Sequence, residues 1–90
     1  MLREGSIKST VLKYAKKNKM LVYQHGAYYV GFPDTMIICT KEIFFIEFKA
    51  EKKRLSVMQE YVVDLFAKYN KRVFVIDNVK DGKKLIDEMM

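Results

Sequence analysis

Two hydrophobic periods alternate along the chain. From Ser6 to Lys19 the apolar residues Ile7, Val11, Tyr14 and Ala15 return at helical spacing, with Lys8, Lys13, Lys16 and Lys17 between them. This pattern predicts an amphipathic helix with a lysine-rich wet face. Met20 to His25 is β-branched and aromatic and stops before Gly26, which predicts a short strand. The segment from Gly26 to Pro33 carries the glycines and the proline of a loop and leads directly into Asp34. Thr35 to Thr40 and Ile43 to Ala50 are two β-forming runs with only Lys41-Glu42 between them, the spacing of an antiparallel hairpin. Lys-Glu suits a primed turn poorly, so a four-residue loop is equally compatible.

Ser56 precedes a second helix with Met58, Tyr61, Val62, Leu65 and Phe66 on one face, and Ser56 and Gln59 have the spacing of a capping box. Asn70 can close this helix, because Asn tolerates a left-handed C-terminal position. Arg72 to Asp77 contains the continuous apolar run Val73-Phe74-Val75-Ile76, suited to a strand covered on both faces. Asp81 to Met90 reads as a terminal helix with Leu85, Ile86 and Met89 inward. The order is α-β-β-β-α-β-α. The second helix is a crossover between strands three and four, which should therefore run parallel with a right-handed connection. The expectation is one α/β domain spanning residues 1–90, a mixed sheet flanked by helices.

Composition narrows the class. Half of the 90 residues are hydrophobic and 31% are charged, too apolar for a disordered chain. Apolar runs such as Met36-Ile37-Ile38-Cys39 fall far short of the roughly 20 residues of a membrane helix, and the N-terminus has no signal-peptide core. A soluble, unexported protein is expected. The lone Cys39 cannot form an internal disulfide and reads as a buried structural thiol, which fits a reducing cytoplasm. Seventeen Lys and Arg against eleven Asp and Glu give +6 and a pI near 9.4. That favours a polyanionic partner by phosphate neutralisation, although an anionic membrane or plain solubility would use the same charge.

The hairpin gives the charges a geometry. With an even-length loop centred on Lys41-Glu42, antiparallel pairing sets Asp34 opposite Lys49 and Met36 opposite Glu47. Opposed residues share a face, and so do Glu47 and Lys49, which brings Asp34, Glu47 and Lys49 together; an odd loop would separate them. Glu47 and Lys49 interrupt a nearly apolar strand, Ile43-Phe44-Phe45-Ile46 before them and Phe48 between. Two close carboxylates repel unless a cation lies between them, and hard oxygen ligands favour Mg²⁺ or Mn²⁺. Such a site suits phosphodiester hydrolysis, with Lys49 positioning water or neutralising charge on phosphorus oxygens. The alternative is an edge-strand charge pair that discourages aggregation.

These residues resemble the PD-(D/E)xK nuclease pattern, with Pro33-Asp34 as its first half and Glu47-Phe48-Lys49 as its second. Gly31-Phe32-Pro33-Asp34, then Phe44 and Ile46-Glu47-Phe48-Lys49, then Leu55-Ser56 and Gln59 is similar to the virus-type replication-repair nuclease (VRR-NUC) family in its stand-alone phage and prophage form. The resemblance implies a restriction-endonuclease-like α/β core and a Mg²⁺-dependent (or Mn²⁺-dependent) DNA endonuclease acting on branched, Holliday-junction-like DNA in replication, recombination or repair. It also implies a bacterial cytoplasmic setting of phage or prophage origin. A homodimer follows if two symmetric cuts are made. No small-molecule cofactor and no membrane partner are expected. By the same resemblance Asp34 and Glu47 bind metal, the main-chain carbonyl of Phe48 adds a ligand, Lys49 is catalytic, and Gln59 lies at the edge of the site. Glu4, at the start of the first helix, occupies the place of a further acidic ligand.

Several of these residues keep an ordinary reading beside the functional one. Glu4 can serve only the helix dipole, and Gln59 only its capping box. Tyr28 and Tyr29, in the loop before Asp34, can stack on a base or pack against the sheet. Lys52, Lys53 and Arg54 follow the catalytic strand and can hold a DNA backbone or form a solvated charge run. His25 reads as a strand-end residue. The alternative for the whole chain is a non-catalytic, basic nucleic-acid-binding α/β module.

Overall fold

The computed structural model describes residues 2–26 and 29–90. Its elements follow the expected order: α1 (Glu4–Lys17), β1 (Leu21–Gln24), β2 (Thr35–Ile38), β3 (Ile43–Phe48), α2 (Val57–Lys68), β4 (Val73–Ile76) and α3 (Val79–Met89). Helix α1 is displaced toward the N-terminus relative to the pattern-based expectation. The Arg3 carbonyl accepts hydrogen bonds from the N–H groups of Ser6 and Ile7 at 3.1 and 3.2 Å, so Glu4 is the first helical residue. Its C-terminus comes early because Lys19 takes a left-handed φ of 65°. Helix α2 begins as expected: Ser56 and Gln59 form a reciprocal capping box. Asn70 adopts the left-handed conformation, φ 58°, just past the end. Helix α3 starts two residues before Asp81, because the side chain of Asn78 accepts from the Asp81 N–H at 2.8 Å and acts as the cap.

The sheet has the order β1-β2-β3-β4, antiparallel except for the β3–β4 pair, which the α2 crossover makes parallel. The hairpin register corrects the one anticipated. Ile38 pairs with Ile43 and Thr35 with Ile46. The connection is the four-residue stretch Cys39–Glu42, closed by the Cys39 N–H donating to the Glu42 carbonyl at 3.1 Å. None of these four residues takes a positive φ, which a two-residue turn of type I′ at Lys41-Glu42 would have required. Extending this register sets Asp34 opposite Glu47 rather than Lys49. The slip is two residues, an even number, so every side chain keeps its face.

One face of the sheet carries the main core. Ile37, Phe44, Ile46, Phe48 and Ile76 pack beneath Ile7, Val11, Leu12 and Ala15 of α1 and Leu85, Ile86 and Met89 of α3. The helices approach closely at Gly82, where an added Cβ would stand 2.4 Å from a Val11 methyl. On the other face α2 covers Phe45 through Phe66, with ring centroids 4.9 Å apart, and Phe32 packs on Phe66 at 5.0 Å.

Two expectations are corrected on the α2 side. Met58 and Tyr61 lie outward, 45% and 59% exposed, and the buried residue of α2 is Val62. Strand β4 is a sheet edge whose Val75 is 43% exposed, so it is not covered on both faces. Both follow from α2 being a single short helix that shelters only part of its face. Cys39 is half-buried, and its thiol donates to the Glu42 carbonyl at 3.4 Å.

Candidate active site

Alternation along β3 separates its side chains. Phe44, Ile46 and Phe48 enter the core, while Phe45, Glu47 and Lys49 point to the α2 side. Glu47 is 6% exposed, an unusual position for an ionisable group. Its Oε1 accepts from the backbone N–H of Asp34 at 3.2 Å, and its Oε2 accepts from the Gln59 side-chain amide at 3.1 Å. Asp34 reciprocates across the strands: its Oδ2 accepts from the Phe48 N–H at 3.2 Å. Its Oδ1 accepts from the Thr35 hydroxyl at 2.6 Å and faces the Lys8 ammonium at 3.7 Å. The Asp34 and Glu47 carboxylates are thus locked by each other's strand.

Burial pushes the Glu47 carboxyl up to about 7, with the negative charge of Asp34 adding to the effect, Glu4 contributing slightly, and the Asp34 N–H and Lys49 opposing. A site that holds a carboxylate in this condition gains from a nearby cation. Lys49 supplies part of that charge; its Nζ approaches the Gln59 Oε1 at 3.4 Å, and Oε1 also accepts from the Ser56 N–H at 2.8 Å. Gln59 therefore does more than close its capping box: the same amide joins the start of α2 to both Glu47 and Lys49.

Glu4 is exposed at the first position of α1. It is brought to this end of the sheet by the segment before it, where the Leu2 N–H donates to the Glu51 carboxylate at 3.1 Å. Among the described residues no three His, Cys, Asp or Glu side chains converge closely enough to make a complete metal cage. The donors nevertheless fit a hard divalent ion. They are carboxylate oxygens with an excess of negative charge, and Mg²⁺ characteristically takes one or two protein carboxylates and keeps several waters.

Lys52, Lys53 and Arg54 form an exposed turn beyond β3, set by Lys52 at φ 62° and by its N–H donating to Asp77 at 3.2 Å. Tyr29 is 55% exposed, and its ring lies against Phe32 in a tilted arrangement with centroids 5.5 Å apart. Tyr28 lies outside the described residues. His25 is wedged among Tyr23, Phe32 and Phe45, and its Nε2 is buried with no hydrogen-bond partner.

Sequence reading missed Thr35 and Lys8, the two side chains that orient Asp34. Thr35 is fully buried and adjacent to the acid, a signal available from the chain. Lys8 was hidden among the surface lysines of its helix. Gly31, at φ 84°, is also required, because a Cβ there would stand 2.7 Å from the Met58 carbonyl oxygen. That contact fixes the Gly31-Phe32-Pro33 approach to Asp34 against α2.

Comparison with known proteins bears on the fold that carries this geometry. No family model matches the chain and no curated protein matches it by sequence. A solved structure described as a "VRR_NUC domain" superposes with a TM-score of 0.85 at 25% identity, covering 100% of both chains. No described helix is long and apolar enough to cross a membrane. The shared fold over its whole length, with the α-β-β-β-α-β-α order and mixed four-stranded sheet described above, is a nuclease-type fold similar to that of this VRR_NUC domain.

Proposed function

We propose that the protein is a divalent-metal-dependent DNA endonuclease that hydrolyses phosphodiester bonds. The observation that carries this reading is the mutual hydrogen bonding of Asp34 and Glu47 across β2 and β3, with Glu47 buried and Lys49 beside it. Asp34, Glu47 and the Phe48 main-chain carbonyl would hold Mg²⁺ or Mn²⁺, with Glu4 contributing charge from α1. A bound ion supplies a lowered pKa for its water and polarises a phosphate oxygen. The chain's own groups do the rest. Lys49 neutralises charge on the phosphorus oxygens and orients the attacking water. Gln59 keeps the Glu47 carboxylate turned inward, and Thr35 and Lys8 fix the rotamer of Asp34. The turn at Lys52, Lys53 and Arg54 holds the DNA backbone beyond β3, and Tyr29 and Tyr28 stack on an exposed base or sugar.

The substrate we propose is branched DNA. The site is small and has little surface for reading base edges, so selectivity would come from the shape of the DNA. Paired cuts need two sites, and a homodimer provides them. The exposed apolar residues Val57, Met58 and Tyr61 of α2 and the neighbouring Val30 support such an association, because their burial would stabilise a small chain.

Purified protein is to be incubated with supercoiled plasmid and with a four-way junction in Mg²⁺, Mn²⁺ or EDTA. The expected result is metal-dependent cleavage, lost in Asp34→Asn and Lys49→Ala while both variants still bind the junction. Cleavage that persists in those variants would overturn the site assignment. Binding without cleavage by the unaltered protein would leave a nucleic-acid-binding module. Elution volume on a sizing column tests the dimer.

A further inference from the structure

Helix α1 and the end of β1 enclose a cleft lined by Gly5, Lys8, Ser9, Leu12, Lys13, Lys16 and Gln24. It opens beside the carboxylate pair. Lys8, at one end, reaches Asp34 at 3.7 Å, and Gln24, on its wall, pairs with Thr35, the residue after Asp34. We infer that this cleft is a second anion site, which takes the sugar-phosphate backbone of a DNA strand next to the phosphate being cleaved. The inference rests on the nuclease reading and extends it to a surface distinct from the turn at Lys52, Lys53 and Arg54.

Charge, reach and lining favour that ligand. Among the described residues the only acidic group within 4.0 Å of the three amines is Asp34, at Lys8. Lys13 and Lys16 are therefore unneutralised by any ion pair. From Lys8 to Lys16 the helix rises about 12 Å, enough to follow about three phosphates of one strand at 3.4 Å of axis each. Ser9 and Gln24 add uncharged hydrogen-bonding groups, and the lining holds no aromatic ring on which a base could stack. Gly5, also in the lining, has nothing within 4 Å of where a Cβ would stand, so a backbone can come close to the helix there. Lys8 joins the two regions, because it lines the cleft and its ammonium faces Asp34.

The test compares Lys13→Gln/Lys16→Gln with a charge-matched control on α3, Lys80→Gln/Lys84→Gln. Affinity for a fluorescent four-way junction is measured by anisotropy in EDTA across a salt series, and cleavage is measured separately in Mg²⁺. Two lost phosphate contacts should lower the slope of log affinity against log salt by about two in the cleft variant. They should raise KM for cleavage with kcat unchanged, and the control should move neither quantity. An equal change in the control would reduce the effect to net charge and overturn the proposal. So would a cleft variant with the parent's slope while the parent still cleaves. A parent that neither binds nor cleaves DNA would instead remove the nuclease reading, and this inference with it.

Discussion

The two faces of β3 are built from alternate residues of one six-residue strand, Ile43–Phe48, and its continuation at Lys49, yet they answer to different demands. Phe44, Ile46 and Phe48 are sealed at essentially zero exposure beneath two helices. On the reverse, α2 shelters Phe45 with Phe66 but gives way at its N-terminal end to polar groups, so Glu47 meets Gln59 instead of a hydrocarbon. The period of the strand thus allows a rigid apolar anchor and a buried carboxylate to sit on adjacent residues. Removing atoms from the first face should unfold the protein. Removing charge from the second should disable it and make it more stable.

Phe48→Ala is the strongest blow to that contrast. Phe48 is fully buried, and truncating a core Phe costs about 3–5 kcal/mol through lost transfer energy and a residual cavity. Chemical denaturation should show a loss of that size, and cleavage should vanish with the folded population. A loss under about 1 kcal/mol would mean that the α1–α3 face is not the anchor described.

Glu47→Gln should act in the opposite sense. The folded carboxyl is pushed up to about 7 from an ordinary 4.5. In the metal-free protein its protonation therefore contributes stability that is full below pH 4.5, declines between pH 4.5 and 7, and is absent above. At 1.36 kcal/mol per unit the contribution is about 3 kcal/mol. In EDTA the parent should lose stability on going from pH 5 to pH 8, and Glu47→Gln should flatten that decline and be the more stable protein at pH 8. A parent curve that rises over this interval, or two parallel curves, would show that Glu47 ionises without penalty. Added Mg²⁺ should restore the parent at pH 8 and leave Glu47→Gln unmoved.

How much of this was legible in the chain can be judged at the same strand. Period-two alternation and parity were enough to put Asp34, Glu47 and Lys49 on one face, and the four-residue loop could shift the register without harming that result because it shifted it evenly. The pairing partner of Asp34 was beyond reach, since Cys39 and Thr40 can end a strand or open a turn. Helix α2 was misread at Met58 and Tyr61 for a related reason. A helical stripe shows which residues can face a sheet but not how far the sheet extends beneath them. Lys8 was illegible because its partner lies 26 residues away, and only the fold distinguishes it from Lys13 and Lys16.

Gly82→Ala probes the anchored face more gently. The new methyl would meet one Val11 methyl at 2.4 Å, the other at 3.0 Å and an Ile76 methyl at 3.2 Å. Overpacking of this kind costs about 1–3 kcal/mol, partly offset by the better helix propensity of Ala, up to about 1 kcal/mol. Thermal melts should show the loss, and cleavage per folded molecule should not change. Combined with Val11→Ala, the substitution should cost less than the sum of the two single changes, because the deleted methyls are the ones it strikes.

The smallest effect is the most informative about the second face. Ser56→Ala removes one half of the α2 capping box and should cost about 1 kcal/mol. Gln59→Ala removes the other half, with a similar effect on stability. The two differ in what they leave at the site. After Ser56→Ala the Gln59 amide still reaches Glu47 and Lys49; after Gln59→Ala the Glu47 Oε2 has lost its donor at 3.1 Å and the Lys49 ammonium its acceptor at 3.4 Å. If Gln59 only caps the helix, both variants will cleave at the same rate per folded molecule. If it also holds the carboxylate, Gln59→Ala will be slower, by on the order of tenfold for one lost partner of a metal-binding carboxylate, and Gln59→Glu will not rescue it because a third negative charge would face Glu47 and Asp34. Equal melting temperatures with unequal rates would therefore assign the amide to the site as well as to the helix.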